Sequence, residues 1–174
     1  MSSNKIILKF TAILVLTWLV ASCSDNEPVA DKLVTASVNA TAVHLEVHKS
    51  PSCGCCEKWL NHINGHGLTS TVYNQDNLSL IKAEKGIAPR YRSCHTAISQ
   101  QGYVFEGHVP AKFIEQFLQE KHPNDIIGLS VPAMPVGSPG MEVDEKFQPY
   151  RILLLKSDGS YQVYASIQSY EEQF

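Results

Sequence analysis

Three cysteines lie within four residues, Cys53-Gly54-Cys55-Cys56, at a point where a strand pattern stops and a helix pattern begins. Val43-His44-Leu45-Glu46-Val47 alternates apolar and polar side chains, as a half-buried strand does. Ser50, Pro51 and Gly54 break that alternation, and Cys56 to Ile63 resumes at helical spacing. A thiol placed there meets unpaired backbone N–H groups and the positive end of a helix dipole, which favours thiolate. Thiolate both attacks disulfides and binds soft metals, so the stretch commits the chain to sulfur chemistry of one kind or the other.

The N-terminus bears on address. Lys5 and Lys9 accompany an apolar run from Phe10 to Val20 that ends in Val20-Ala21-Ser22-Cys23. A basic start, a short apolar stretch and small residues before a cleavage point describe a secretory signal. The run is short for a bilayer span. Ala-Ser directly before Cys23 resembles the bacterial lipobox, in which the cysteine becomes the lipidated first residue. The expected organisation is therefore a lipoprotein signal peptide over 1–22, a flexible tether over 23–42 and one domain over 43–174. An ordinary signal peptide with an incidental cysteine is the plainer alternative. Ser24, rather than an Asp, points to the outer membrane over the inner, on the periplasmic side.

Cleavage before Cys23 leaves about 150 residues, the size of one domain. The chain already carries a formal net charge of −3, and the removed segment takes two lysines and no acid with it. That balance argues against a nucleic-acid partner. Residues 24–42 are small and polar, with Pro28 and no period. Four cysteines remain beyond Cys23: Cys53, Cys55, Cys56 and Cys94. In an exported protein an even count first suggests structural disulfides. That suits these four badly, because Cys55 and Cys56 are adjacent and a domain of this size can bury its core without staples.

Along the domain, Trp59, Leu60 and Ile63 give the apolar face of a first helix, stopped by Gly65 and Gly67. Leu68 to Tyr73 reads as a second strand and Leu78 to Lys85 as a short helix ended by Gly86. Ser93 to Ile98 and Tyr103 to Glu106 pair as a hairpin across Gly102. Pro110 opens a third helix whose stripe is Phe113, Ile114, Phe117 and Leu118. Asn124 to Pro149, broken by Pro132, Pro135, Gly137, Pro139 and Gly140, predicts a long ordered loop with no strand or helix. Tyr150 to Leu155 and Tyr161 to Ala165 close the chain as a hairpin over Ser157-Asp158-Gly159-Ser160. The order β-α-β-α-β-β-α predicts an α/β fold: a thioredoxin-like sheet flanked by helices, with a Pro/Gly/Met loop and a C-terminal β-hairpin added.

Cys53 and Cys56 have the C-x-x-C spacing of dithiol oxidoreductases, with the first thiol at the helix end and the second one turn inside. A disulfide exchanger needs only those two. Cys55 adds nothing to exchange and invites scrambling, but it gives a soft metal another ligand, and thiolates and thioethers select Cu(I). Cys94-His95 opens a strand that this fold brings beside the cysteine helix; taken alone, the pair reads as a buried cysteine beside an exposed histidine. His108 precedes a helix and can serve either as a ligand or as a capping neighbour. Met134 and Met141 are the only methionines besides the initiator and share one Pro/Gly loop. That suits thioether donors, although buried methionine ordinarily fills gaps. His44, His48, His62, His66 and His122 show no ligand spacing and read as solvated surface.

Ser50-Pro51-Ser52-Cys53-Gly54-Cys55-Cys56 with Trp59, Ser93-Cys94-His95-Thr96-Ala97, Glu106-Gly107-His108-Val109-Pro110, and Gly128 to Glu142 together resemble one family, from about Val43 to Ala165. It is the exported CopG-like metal-binding family, associated with bacterial copper resistance and long described only as a domain of unknown function. The resemblance implies a thioredoxin-like fold and a copper-handling role. Its Cys-x-Cys-Cys motif falls on Cys53, Cys55 and Cys56, and its Ser-Cys-His-Thr motif on Cys94 and His95. Two departures stand out: Ala133 where the family often has glycine, and Ala88-Pro89 in place of a Gly-Val-Pro turn, which leaves the isomer of Pro89 open.

The expected protein is a lipid-anchored, copper-binding protein of the cell envelope. Cys53, Cys55 and Cys56 bind Cu(I), and Cys94, His95, His108, Met134 and Met141 stand as further donors. Imidazole also tolerates Cu(II), so a copper redox role fits the same residues, and other envelope copper-handling proteins are the expected partners. The competing expectations are a thiol-disulfide oxidoreductase using Cys53 and Cys56, and a disulfide-stapled binding module without metal.

Overall fold

The structure is a computed structural model that describes residues 42–174; the expected signal peptide, Cys23 and the tether up to residue 41 lie outside the described residues. The elements are β1 (His44–Lys49), α1 (Gly54–Gly65), β2 (Thr69–Asn74), α2 (Ser79–Glu84), β3 (His95–Ser99), β4 (Val104–Glu106) and α3 (Ala111–Gln119). They continue with β5 (Ile126–Ser130), β6 (Tyr150–Lys156) and β7 (Tyr161–Ile167). Short 3-10 turns lie at Pro89–Tyr91 and Tyr170–Gln173. All seven strands form one sheet in the order β2-β1-β3-β4-β5-β6-β7. β1 runs parallel to β2 and antiparallel to β3, and β3 is antiparallel to β4. The expected β-α-β-α-β-β-α order is therefore present, and the C-terminal hairpin extends its sheet.

One expectation fails between residues 124 and 149. Ile126–Ser130 is a strand, parallel to β4 and antiparallel to β6, and it joins the hairpin to the rest of the sheet. Four of its five residues are buried, so it lacks the alternation that marks a half-exposed strand. Gly128 is required there. It has φ +146°, and a Cβ on it would collide with the Val104 carbonyl. The loop proper runs from 131 to 149.

Strand alternation sorts the core onto two faces. Leu45, Val47, Ala97 and Phe105 join Trp59, Ile63, Ile114 and Phe117 in one cluster, under α1 and α3. Ile98 and Val104 join Ile87, Tyr91, Leu153 and Leu155 in the other. Each such aliphatic or aromatic side chain contributes about 1.5–3 kcal/mol on full burial. This packing fixes α1 against the ends of β1 and β3, and so fixes the cysteines it carries. No cis peptide bond occurs among the described residues, so the bond before Pro89 is trans.

Candidate metal centre

β1 ends at Lys49, and a tight turn, with the Cys53 N–H donating to the Ser50 carbonyl at 3.1 Å, delivers Cys53 to the N-cap of α1. Cys53 and Cys56 form a disulfide, and Cys55 and Cys94 are free thiols. The disulfide joins the C-x-x-C pair across one helical turn; two of the expected metal donors are thus closed on each other in this state. Cys55 Sγ lies 3.5 Å from Cys53 Sγ and 4.0 Å from Cys94 Sγ. The four sulfurs all fall within 4.8 Å of one another.

Cys94 belongs to a second group as well, with His95 and His108, whose ligand atoms meet the same limit. Its Sγ lies 3.0 Å from His108 Nε2 and 3.2 Å from His95 Nδ1. His108 Nδ1 lies 2.7 Å from the Pro139 carbonyl oxygen, which can only accept, so Nδ1 carries the proton and Nε2 presents its lone pair to Cys94. A backbone carbonyl orienting an imidazole in this way is a common support of metal-binding histidines. Burial holds the His108 pKa below the ordinary value, against the opposing pull of the Pro139 carbonyl. His95 is lowered well below it, by burial first and by His108 and Lys82 next. Both rings are thus held neutral, the form that ligates. Burial, reinforced by Cys55, pushes the Cys94 thiol up to about 12. A soft cation must therefore displace a proton to use that sulfur.

His95 is fully buried, its ring 4.2 Å from that of Trp59, and its Nε2 has no hydrogen-bond partner. Trp59 Nε1 donates to the Val109 carbonyl at 2.8 Å, which ties α1 to the segment carrying His108. The long loop closes over the helix start. A Cβ on Gly140 (φ +88°) would lie 2.7 Å from the Cys55 carbonyl oxygen and 2.8 Å from the Trp59 nitrogen. Met141, partly buried, follows directly, while Met134 is 48 % exposed on the same loop. Ala133, where the resembled family often has glycine, has φ +59°, a left-handed backbone that glycine adopts without strain.

Of the five histidines expected at the surface, only His66 is exposed; His44, His48, His62 and His122 are partly buried. His62 Nε2 accepts the Ala111 N–H at 3.1 Å, so it caps α3 from α1, and burial brings its pKa down to about 4. It takes the capping role that had been an alternative for His108. His122 stacks on Phe117 with ring centroids 3.8 Å apart. The residues missed around the centre are charged: Lys49, Lys82 and Glu106 are buried, Lys49 against Glu57 at 2.6 Å and Lys82 against Glu106 at 2.5 Å. Only tertiary packing reveals them, since lysines at the end of a strand and on a short helix read as solvated.

Fold and side chains define a class: a mixed α/β domain gathering four sulfurs and two neutral imidazoles at one end of its sheet, able to run thiol redox chemistry or to hold a soft metal. A family described as a protein of unknown function, DUF411, matches residues 91–141. Two solved structures, forms 2 and 1 of a protein named copper resistance protein CopG, are 35% and 34% identical to this chain. Each superposes with a TM-score of 0.67; they cover 73% and 74% of this chain, and 99% of their own chains is matched. No curated protein matches. The chain belongs to the CopG copper-resistance family.

Proposed function

We propose that this chain is a cell-envelope copper-binding protein of copper resistance and homeostasis. It holds Cu(I) through Cys53, Cys55 and Cys56, with Cys94, His95 and His108 as further donors. The observation that carries the reading is Cys94, whose sulfur belongs to both the thiol group and the imidazole group and makes them one set of soft donors. A disulfide exchanger has no use for that bridge.

Thiolates favour Cu(I) and imidazoles accept Cu(II), so the same site serves sequestration and copper redox exchange. The Cys53–Cys56 disulfide gives the site a closed form. A dithiol reductant supplies the two electrons and two protons that convert it to two thiols, itself becoming a disulfide, and metal then displaces the thiol protons. Metal analysis of protein purified anaerobically after growth with copper tests the proposal. Copper should copurify with the reduced protein and be lost in large part once the disulfide forms. Protein that is metal-free in both states contradicts it. Met134 and Met141 are proposed as thioether donors from the loop. Replacing both with leucine should weaken Cu(I) affinity while leaving stability nearly unchanged, because the side chains are close in volume.

A second reading has its own observation. A disulfide formed by a C-x-x-C pair at a helix N-terminus is the oxidised resting form of a thiol-disulfide oxidoreductase. Efficient reduction of protein disulfides by Cys53 and Cys56, without copper, would favour it.

A further inference from the structure

Behind the metal centre lies a buried charged network that ligation itself does not use. Glu106 is fully buried and Lys82 is 4 % exposed. Lys82 Nζ donates to Glu106 Oε1 at 2.5 Å and to Thr96 Oγ1 at 3.0 Å. Thr96 Oγ1 donates in turn to Glu106 Oε2 at 2.6 Å. Thr96 alternates with His95 and Ala97 along β3, so the network occupies the face of the sheet away from Trp59 and α1. One further donor reaches the carboxylate. The backbone N–H of Ser93, the residue before Cys94, donates to Glu106 Oε1 at 2.6 Å.

A buried ion pair is a weak source of stability, because apolar residues of similar volume often replace one at no loss. What this pair supplies is a fixed acceptor. The Ser93 hydroxyl donates to the Ala133 carbonyl, and Gly107 packs so close that a Cβ there would lie 2.5 Å from Ser93 Cβ. Ser93 is thus wedged between the end of β4 and the long loop, with its amide held by Glu106. The same short segment, Glu106-Gly107-His108, carries the imidazole 3.0 Å from Cys94. One carboxylate therefore ties the backbone before Cys94 to the backbone before His108.

We propose that the Lys82–Glu106 pair is a positioning device for the centre: through the Ser93 amide it sets where Cys94 stands between Cys55 and His108. Lys82 holds the carboxylate in place, Glu106 holds Ser93, and neither touches the metal. The metal readout rests on the copper reading; the placement of Cys94 does not.

Two double variants separate position from charge. Lys82→Met with Glu106→Gln removes both charges and keeps an acceptor oxygen for Ser93. Lys82→Met with Glu106→Leu removes the acceptor too. Each is compared with wild type by urea unfolding, by the rate at which iodoacetamide alkylates Cys94 at fixed pH (followed by peptide mass spectrometry), and by competition for Cu(I) after anaerobic reduction. The glutamine variant, which keeps the Ser93 acceptor but not the lysine that holds it, should stay nearer wild type than the leucine variant in alkylation and copper affinity. The leucine variant should expose Cys94 to faster alkylation and lose about 10-fold to 100-fold in Cu(I) affinity, as loss of an outer support does at metal sites. If the leucine variant does not fold, Ser93→Pro against Ser93→Ala makes the same comparison, since proline removes the N–H and the extended Arg92 (ψ 148°) accepts a following proline. A folded variant without the Ser93 tie whose Cys94 reacts and whose Cu(I) affinity stays as in its partner variant overturns the proposal. If wild type binds no Cu(I) but the alkylation contrast holds, the copper reading fails and the positioning role stands.

Discussion

At the scale of single residues, histidines decide more of this molecule than their spacing suggests. His108 is oriented by one carbonyl, His95 is enclosed by Trp59, and His62 caps a helix from its neighbour. His62 yields a pH prediction with a definite sign. Its folded pKa, about 4, lies below the ordinary 6.5, because of burial first and His66 next, with Glu142 opposing. The unfolded chain therefore binds more protons between those values, and stability falls as pH drops from about 6.5 towards 4. His62→Gln keeps an acceptor for the Ala111 N–H and removes the titration. Discounted for its remaining contact with solvent, the His62 share is about 1–2 kcal/mol. Urea unfolding at pH 7 and pH 4.5 should show a smaller loss in the variant than in wild type; equal losses would assign the slope to other groups. The cysteines and His95 were legible as candidate ligands because sulfur and imidazole are rare and were grouped along the chain. That Cys94 serves two groups was not, since nothing local to residue 94 reports what stands across the sheet.

At the scale of elements, the parts read correctly were those with a period or a turn signal beside them. The helix after the cysteines carries a 3.6-residue stripe and β1 alternates against one buried face, while β3 and β4, buried along their whole length, were marked by the turn at Gly102. β5 stayed hidden because both its faces are covered and its glycine serves close approach to β4. The loop over 131–149 was correctly expected to be ordered, and Gly140 shows how it docks. With φ +88° and the backbone of Cys55 and Trp59 against it, no side chain fits there without displacing the loop or the helix start. Gly140→Ala should destabilise the domain by about 2–5 kcal/mol, combining left-handed strain with overpacking against backbone. The displacement should also loosen the bond from His108 Nδ1 to the Pro139 carbonyl. Thermal unfolding checks the first effect, and the histidine ring nitrogen shifts in NMR check the second. An alanine variant as stable as wild type would mean that the loop docks without the contact at Gly140.

At the scale of the whole molecule, a sulfur-rich centre at one end of a seven-stranded sheet follows a chain start that reads as an export signal. If Cys23 is lipidated, the protein fractionates with membranes, and Cys23→Ser should release it to the soluble envelope fraction or leave it unprocessed. A wild-type protein that is soluble and carries no lipid would refute the anchor. The central claim concerns what the extra thiol is for. An exchanger cycles between Cys53 and Cys56 and treats Cys55 as a bystander. A copper site needs every thiolate it can converge, because each sulfur binds metal and offsets its charge. Anaerobic Cu(I) titration of the reduced wild type, Cys53→Ser and Cys55→Ser tests this most directly. The account predicts that Cys55→Ser loses copper capacity or affinity about as severely as Cys53→Ser; a Cys55→Ser protein that binds Cu(I) like wild type, while wild type reduces protein disulfides efficiently, would contradict it.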